Sequence, residues 1–141
     1  MIHGIGVDLV KIPRIRRLLE RYGVTFLQRV YTATERSYSL SQHDPASSLA
    51  ARFAAKEAAL KALGTGWVPG MSWQDFEVQR QAKGAPLLLL HGIAKETACH
   101  AKITNAHLTI SHELDLAIAY VILERCATNG SSDEDSADAA F

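Results

Sequence analysis

A group of charged side chains stands on an alanine-rich background in the middle of the chain. Alanine fills seven of the thirteen positions from 50 to 62, which predicts a helix with Glu57 and Lys61 one turn apart on one face. Arg52 and Lys56 would share a neighbouring row. The simplest interpretation is a solvated Glu57–Lys61 ion pair, contributing about 0.2–0.5 kcal/mol. The many small residues would let this helix pack very closely on another element. Close packing around a row of charged side chains favours a second hypothesis, that the carboxylate and the cations form a functional site.

Asp8 follows a short apolar run that contains glycine, and it is the second carboxylate of interest. A lone aspartate at the end of a strand is typically a turn or cap residue. Paired with Glu57, and with no Cys or His cluster in the sequence, it suits a hard cation such as Mg²⁺, which takes one or two protein carboxylates and fills its other positions with water and substrate phosphate. Lys61, Lys56 and Arg52 would neutralise phosphoryl charge. The combination predicts phosphate chemistry.

A polar strand near the C-terminal end supplies further candidates. The alternation from 106 to 112 places Leu108 and Ile110 inward and His107 and Ser111 outward, which would form a polar wall for a nucleotide or phosphate. Histidines on the polar face of a strand are more often merely solvated. The common signatures are absent from the sequence: no Walker loop, no GxGxxG after a strand, no HExxH and no GxSxG.

The composition indicates one domain outside the membrane. The chain has 141 residues, 48% of them hydrophobic, and no segment approaches the length of a membrane span. The first residues carry neither a basic region nor a long apolar run, so we expect no export signal. Cys99 and Cys126 are too few for a disulfide framework or a zinc site, which favours a cytoplasmic location.

The net charge of zero conceals an asymmetry. Residues 127–141 carry four acidic residues and no Lys or Arg, so we expect an acidic, flexible tail beyond a domain spanning 1–126. That domain has 15 basic and 11 acidic residues, a net charge of +4. Seven basic residues lie between Lys11 and Arg36 against two acidic ones, which indicates either a solvated helix face or an acidic partner. Nucleic acid is disfavoured, because no helix-turn-helix, stacking platform or zinc finger accompanies the charge.

The periodicity predicts helices early in the chain and strands late, the α+β class, with helices packed on an antiparallel sheet. A strand is expected from Ile2 to Asp8, with Ile5 and Val7 or their alternates facing inward. Four helices are expected at 13–22, 25–30, 34–42 and 93–102, and a fifth is capped by Ser47 or Ser48 and ends at Gly64. The later strands are expected at 73–79, 86–91, 106–112 and 115–124, with a turn at Glu113-Leu114.

Several motifs resemble those of one known family. They are Gly4-Ile5-Gly6-Val7-Asp8, Arg52-Phe53-Ala54-Ala55-Lys56-Glu57-Ala58 with Lys61-Ala62-Leu63-Gly64, Gly84-Ala85-Pro86, and Leu108-Thr109-Ile110-Ser111-His112. Over about residues 1–124 the chain resembles the small bacterial holo-acyl-carrier-protein synthases, the short type of 4′-phosphopantetheinyl transferase. The resemblance implies that family's fold for residues 1–126 and gives no role to the tail.

The resemblance also implies an activity. It would be Mg²⁺-dependent transfer of 4′-phosphopantetheine from coenzyme A to a serine of apo acyl carrier protein, with release of 3′,5′-ADP, in support of fatty acid biosynthesis. The family works as a homotrimer with active sites between subunits. Two alternatives stay open: a transferase for polyketide or peptide synthase carriers, and a non-catalytic module that binds an acidic protein.

Residue roles follow from the resemblance, position by position. Asp8 and Glu57 match the metal carboxylates, with Glu57 as the first choice of base, and Lys61 matches the lysine that reaches the phosphates. The remaining expected positions are Arg52, Gly64, His107, Ser111 and His112 for coenzyme A, and Arg14, Arg17 and Arg21 for the carrier protein.

Overall fold

The computed structural model describes residues 1–127; of the expected acidic tail, all but Ala127 lies outside the described residues. After the first strand, most helices come early in the chain and most strands late, as predicted. They are β1 (Ile2–Lys11), α1 (Ile12–Tyr22), α2 (Val24–Val30), α3 (Ala33–Leu40), α4 (Pro45–Leu63), a 3₁₀ turn (Trp73–Asp75), β2 (Phe76–Arg80), β3 (Pro86–Leu90), α5 (Gly92–His100), β4 (Ile103–Glu113) and β5 (Leu116–Arg125).

The strands form two antiparallel sheets. One has three strands in the order β1-β5-β4, and the other is the β2-β3 hairpin. Helices pack on these sheets, so the predicted α+β class is confirmed. Among the described residues, no helix is both long and apolar enough to cross a membrane.

Helix α4 lies on β1 at very short range, and glycines make this possible. A Cβ atom added to Gly6 or Gly4 would collide with the backbone carbonyl of Ala58 or Ala62, respectively. All seven alanines of the predicted helix are buried. The interpretation that the alanines permit close approach is therefore confirmed.

The start of α4 differs from the prediction. The helix begins at Pro45, with Asp44 as the N-cap residue, so Ser47 and Ser48 lie inside the first turns and do not cap it. Proline suits the first helical position because its fixed φ is already helical and its missing N–H would be unpaired there. At the other end Gly64 adopts a left-handed conformation, φ 81°, as expected.

Strand β1 is longer than predicted, and Asp8 lies within it. Pairing with β5 continues from Asp8 to Lys11, because Leu9 and Val10 extend the alternating pattern. The alternates face inward: Gly6, Asp8 and Val10 point toward α4, whereas Ile5, Val7 and Leu9 are exposed on the opposite side, which we call the outer face.

Helix α1 begins where β1 ends and follows the prediction closely. Ile12 and Ile15 are buried, while the arginines are exposed, and Gly23 ends the helix. Helix α3 starts one residue before the expected Thr34, because Thr32 and Glu35 form a capping box.

Candidate active site

Three predicted residues meet where α4 crosses β1. Lys61 Nζ donates to Asp8 Oδ1 and to the Val7 carbonyl oxygen, each at 3.0 Å. Partial burial raises the pKa of Glu57, and the negative charge of Asp8 raises it further, while Lys61 and Arg14 act in the opposite direction. Lys61 thus pairs with Asp8 across two elements, and the simple Glu57–Lys61 ion pair is not formed in the described part of the chain.

The two carboxylates fit a divalent cation bound with help from a substrate. Residues 1–127 contain no group of three or more His, Cys, Asp or Glu side chains able to hold a metal. Asp8 and Glu57 alone provide hard oxygen ligands, the number from which Mg²⁺ typically binds while keeping water and phosphate oxygens in its remaining positions. Burial is the main cause of the raised pKa of Glu57 and repulsion from Asp8 adds to it, and a cation between the two carboxylates would relieve that repulsion.

Arg14 also belongs to this region, which the sequence did not indicate. Its guanidinium lies 5.6 Å from the centre of the Phe53 ring, one turn before Glu57, and its charge lowers the pKa of Glu57. Only the packing of α1 against α4 brings it there. Arg17 and Arg21 are exposed further along the same helix.

Arg52 and Lys56 are not brought to this site, which corrects the expectation that they would neutralise substrate phosphate. The Arg52 guanidinium lies 4.4 Å from the Tyr38 ring centre and donates to the Ser48 hydroxyl at 2.8 Å. Lys56 is fully buried against Glu35. Their face of α4 turns into the core, so their charges serve packing and not an open site.

Gly64 lies at the other end of the helix–strand contact. The preceding carbonyl, of Leu63, is 3.1 Å from Nε2 of His3 on β1, while Asp8 is five residues further along that strand. Lys61 lies between Glu57 and Gly64 on α4, and its long side chain reaches Asp8. A role of Gly64 toward coenzyme A stays a prediction.

The polar residues of β4 form a separate group. His107 Nε2 lies 2.7 Å from Glu124 Oε2, and this contact lowers the pKa of Glu124. Ser111 and His112 line a cavity of about 270 Å³ beside the β4–β5 turn, with His112 on the face opposite to His107 and Ser111. The expected Glu113-Leu114 turn is shifted by one residue to Leu114-Asp115, where Leu114 has φ 54°.

This second group does not meet Asp8 and Glu57 within one chain. Strand β5 lies between β4 and β1, so two strand spacings of about 4.8 Å separate them. The cavity extends across the sheet to Leu9 of β1, beside Asp8, but Leu9 and Ser111 lie on the outer face whereas Asp8 points toward α4.

Comparison with known proteins assigns the family. A family model described as the 4′-phosphopantetheinyl transferase superfamily matches residues 4–121. The chain belongs to this superfamily. Among curated relatives of the family, the holo-[acyl-carrier-protein] synthase of Solibacter usitatus is 49% identical over 124 residues, covering 88% of this chain and 99% of the relative. The predicted enzyme class, a 4′-phosphopantetheinyl transferase of the holo-[acyl-carrier-protein] synthase type, is confirmed.

Solved structures of the superfamily share the fold. The holo-[acyl-carrier-protein] synthase of Neisseria meningitidis matches with a TM-score of 0.81 and 34% identity, covering 89% of this chain and all of the other. The Helicobacter pylori enzyme, solved in complex with coenzyme A, matches with a TM-score of 0.74 and 34% identity, covering 85% of this chain and 99% of the other. The predicted transferase fold is confirmed.

Proposed function

We propose that this chain transfers 4′-phosphopantetheine from coenzyme A to a serine hydroxyl of an apo acyl carrier protein, releasing 3′,5′-ADP, and that it requires Mg²⁺. The observation that carries the proposal is the meeting of Asp8, Glu57 and Lys61 where α4 crosses β1. Two carboxylates and one cation are the groups that phosphoryl transfer needs near a pyrophosphate.

Asp8 and Glu57 would hold the metal, and Lys61 would bind substrate. Bound Mg²⁺ would supply positive charge that polarises the pyrophosphate. The Lys61 side chain is 53% exposed, so its ammonium is free to turn from Asp8 toward a phosphate oxygen. There it stabilises the charge that develops on the departing 3′,5′-ADP.

Glu57 is the base of choice for the attacking serine. The serine oxygen forms a bond to the β-phosphorus while the bond from that phosphorus to the bridging oxygen breaks, and the serine proton goes to the Glu57 carboxylate. The Glu57 carboxylate lies near Arg14, on the side where the carrier would dock, which places it to take this proton directly or through a water molecule. The bridging oxygen leaves with the 3′,5′-ADP.

The carrier protein would dock on α1. Arg14, Arg17 and Arg21 are exposed at spacings of three and four residues, so they share one side of the helix. Arg14 lies beside Glu57, and an acidic protein bound to this side would bring its serine near the site. Opposite surface charges steer such encounters and fix their orientation.

A homotrimer would complete the site. The outer face exposes a contiguous apolar area made by two neighbouring strands, which marks an association surface. Its members are Ile5, Val7 and Leu9 of β1, and Ile118 and Tyr120 of β5. Association through this face would let His107, Ser111 and His112 of one copy border the coenzyme A bound at Asp8 and Glu57 of the next.

A role in fatty acid biosynthesis, in the cytoplasm, belongs to this proposal. The alternative carriers, those of polyketide or peptide synthases, present the same serine and a similar acidic surface, so a direct competition is needed. The non-catalytic alternative is disfavoured by the presence of both carboxylates and Lys61 at one place.

The test is to incubate the protein with coenzyme A, Mg²⁺ and separate apo carriers from fatty acid, polyketide and peptide synthesis, and to weigh the products. We expect a gain of one phosphopantetheine, fastest on the fatty acid carrier, and none without Mg²⁺. A faster reaction with another carrier would reassign the pathway. Carrier binding with no mass gain on any of them would establish a binding module instead.

A further inference from the structure

Three aromatic rings form a continuous column beside the carboxylate site. The Trp73 ring packs on Phe53 with 5.1 Å between centroids, and Trp67 packs edge-on against Trp73 at 4.7 Å. Phe53 lies one turn before Glu57 on α4, and the Arg14 guanidinium lies 5.6 Å from the centre of its ring. Phe53 itself is buried, so the column begins in the core next to Glu57 and reaches solvent at Trp67, which is 48% exposed.

The loop that carries Trp67 turns back along α4. It leaves the helix at Gly64, and by Trp73 it has returned beside Phe53, about three helical turns before the helix end. The chain is uncharged from residue 62 to residue 74, between Lys61 and Asp75. A strongly charged site is therefore bordered on one side by an uncharged, aromatic wall.

We infer that the Phe53–Trp73–Trp67 column binds the pantetheine arm of coenzyme A, a step that rests on the function proposed above. The arm carries no charge: it has a dimethyl carbon, two amides and a terminal thiol. Methyl groups and amide planes pack well on indole rings, and sulfur makes favourable contacts with aromatic edges. With the pyrophosphate at Asp8, Glu57 and Lys61, the arm leaves from beside Glu57, where the column begins.

The charge pattern favours the arm over the carrier protein as the occupant. An acidic carrier is matched by Arg14, Arg17 and Arg21 on α1, whereas the wall offers it no cation. An uncharged arm leaves water for this surface at lower cost than a carboxylate of an acidic carrier would. Arg14 belongs to the α1 surface and also lies near Phe53 and Glu57. It therefore marks the place where the α1 surface meets the aromatic column, and there the carrier serine would meet the arm.

Tryptophan fluorescence offers a direct readout, because the only two tryptophans of the chain are both in the column. With Mg²⁺ present, we expect coenzyme A to change the emission saturably, and 3′,5′-ADP, which lacks the arm, to bind with little change. In Trp73→Phe the remaining signal comes from Trp67 and should still respond to coenzyme A. Equal responses to both ligands would overturn the inference.

Kinetics of Trp67→Ala provide the second measurement. We expect the KM for coenzyme A to rise roughly fivefold, the size expected for one lost aromatic contact, with the affinity for 3′,5′-ADP and the KM for the carrier unchanged. Trp67→Phe restores a ring and should recover most of the affinity. Leu40→Ala, which trims an equally exposed apolar side chain at the end of α3, is the control and should behave as wild type.

The outcomes separate the two proposals. A rise in the carrier KM alone would assign the column to carrier docking, and unchanged constants for Trp67→Ala in an active enzyme would remove the column from substrate binding. In both cases the proposed transfer would stand. Failure of the wild-type protein to bind coenzyme A and to modify any carrier would overturn the proposed function and this inference together.

Discussion

Lys56 and Glu35 form a fully buried ion pair, with 2.8 Å between Nζ and Oε2, that joins α4 to α3. Lys56 also donates to the carbonyl oxygens of Trp73 and Phe76, and the second Glu35 oxygen accepts from the Val78 N–H at 2.8 Å. The pair therefore also ties both helices to β2. Since consecutive residues project about 100° apart around a helix, the pair holds a face of α4 next to the one that carries Glu57.

Removal of one partner should destabilise the fold strongly. Lys56→Met leaves the Glu35 carboxylate buried without its cation, and we expect the free energy of unfolding to fall by about 3–5 kcal/mol. Urea titration at neutral pH measures this. Arg16→Ala, which breaks the half-exposed Arg16–Asp44 pair, is the matched control and should cost less than about 1 kcal/mol. Equal costs for the two variants would mean that burial gives the Lys56–Glu35 pair no special role.

Close contact between β1 and α4 predicts that Gly6→Ala is poorly tolerated. The added methyl group would meet the Ala58 carbonyl, so the helix must move away from the strand that carries Asp8. We expect the free energy of unfolding to fall by about 1–3 kcal/mol, the size found for overpacked cores, together with a large loss of transfer activity. Differential scanning calorimetry and the carrier mass assay measure both effects.

Ile5→Val tests the same strand on its exposed side. This variant removes one methylene from a position that is half-exposed in a single chain. We therefore expect the free energy of unfolding to fall by less than about 1 kcal/mol and the activity to stay nearly normal. If Gly6→Ala were as mild as Ile5→Val, the close packing of α4 on β1 would not be required for the site.

Much of this architecture could be predicted from residue spacing. The alanine-rich helix predicts Glu57 and Lys61 on one face, the preference of Mg²⁺ for carboxylates adds Asp8, and periodicity gives the element order. The predicted end of the first strand at Asp8 is too early, since pairing with β5 extends the strand to Lys11.

The burial of Arg52 and Lys56 could not be predicted, because a charged residue in a helical pattern is expected on the exposed face. Their burial depends on partners 14 to 21 residues away, namely Tyr38, Glu35 and Phe76 of β2, which only the tertiary fold brings together. The position of Arg14 beside Glu57 has the same origin, since it depends on how α1 crosses α4.

The two carboxylates proposed to hold Mg²⁺, Asp8 and Glu57, should be essential for transfer and dispensable for folding. In Asp8→Asn and Glu57→Gln we expect turnover to fall by on the order of 10²-fold or more, because charge stabilisation at the pyrophosphate is lost. Circular dichroism and thermal unfolding should remain close to wild type. Isothermal titration of Mg²⁺ in the presence of 3′,5′-ADP should show weakened binding in both variants.

The control for this pair is Glu96→Gln, which neutralises an exposed carboxylate on α5. It should leave both Mg²⁺ binding and turnover unchanged. Wild-type turnover in Asp8→Asn or Glu57→Gln would remove the metal site from its proposed place.

Docking of the carrier on α1 predicts a selective effect of charge reversal. We choose Arg17 and Arg21, because Arg14 also acts on Glu57 and Phe53. The double change to Glu should raise the KM for the carrier about tenfold or more and leave the KM for coenzyme A nearly unchanged. The wild-type carrier KM should rise with salt, since surface charges are screened over about 8 Å at 0.15 M.

A matched double variant, Lys83→Glu with Lys95→Glu, changes the net charge equally at exposed positions away from α1. It should leave the carrier KM close to that of wild type. If both double variants weakened the carrier to the same extent, net charge and not the α1 surface would be responsible.

Assembly through the outer face predicts that one buried charge there separates the subunits. Val7 is 44% exposed in a single chain and neighbours Tyr120 on β5, at the centre of the apolar area. Val7→Asp should therefore convert a trimer into a 15.4 kDa monomer, because association would have to desolvate the carboxylate. Light scattering after size exclusion measures the mass, and circular dichroism should show that the fold persists.

Val24→Asp is the control, since Val24 is a more exposed valine, 64%, on α2 and lies outside the apolar area. It should remain trimeric and active. Val7→Asp should lose transfer activity along with the trimer, because in the proposed assembly His107, Ser111 and His112 of one copy border the coenzyme A bound by its neighbour. An active monomer, whether wild type or Val7→Asp, would show that the site is complete in one chain.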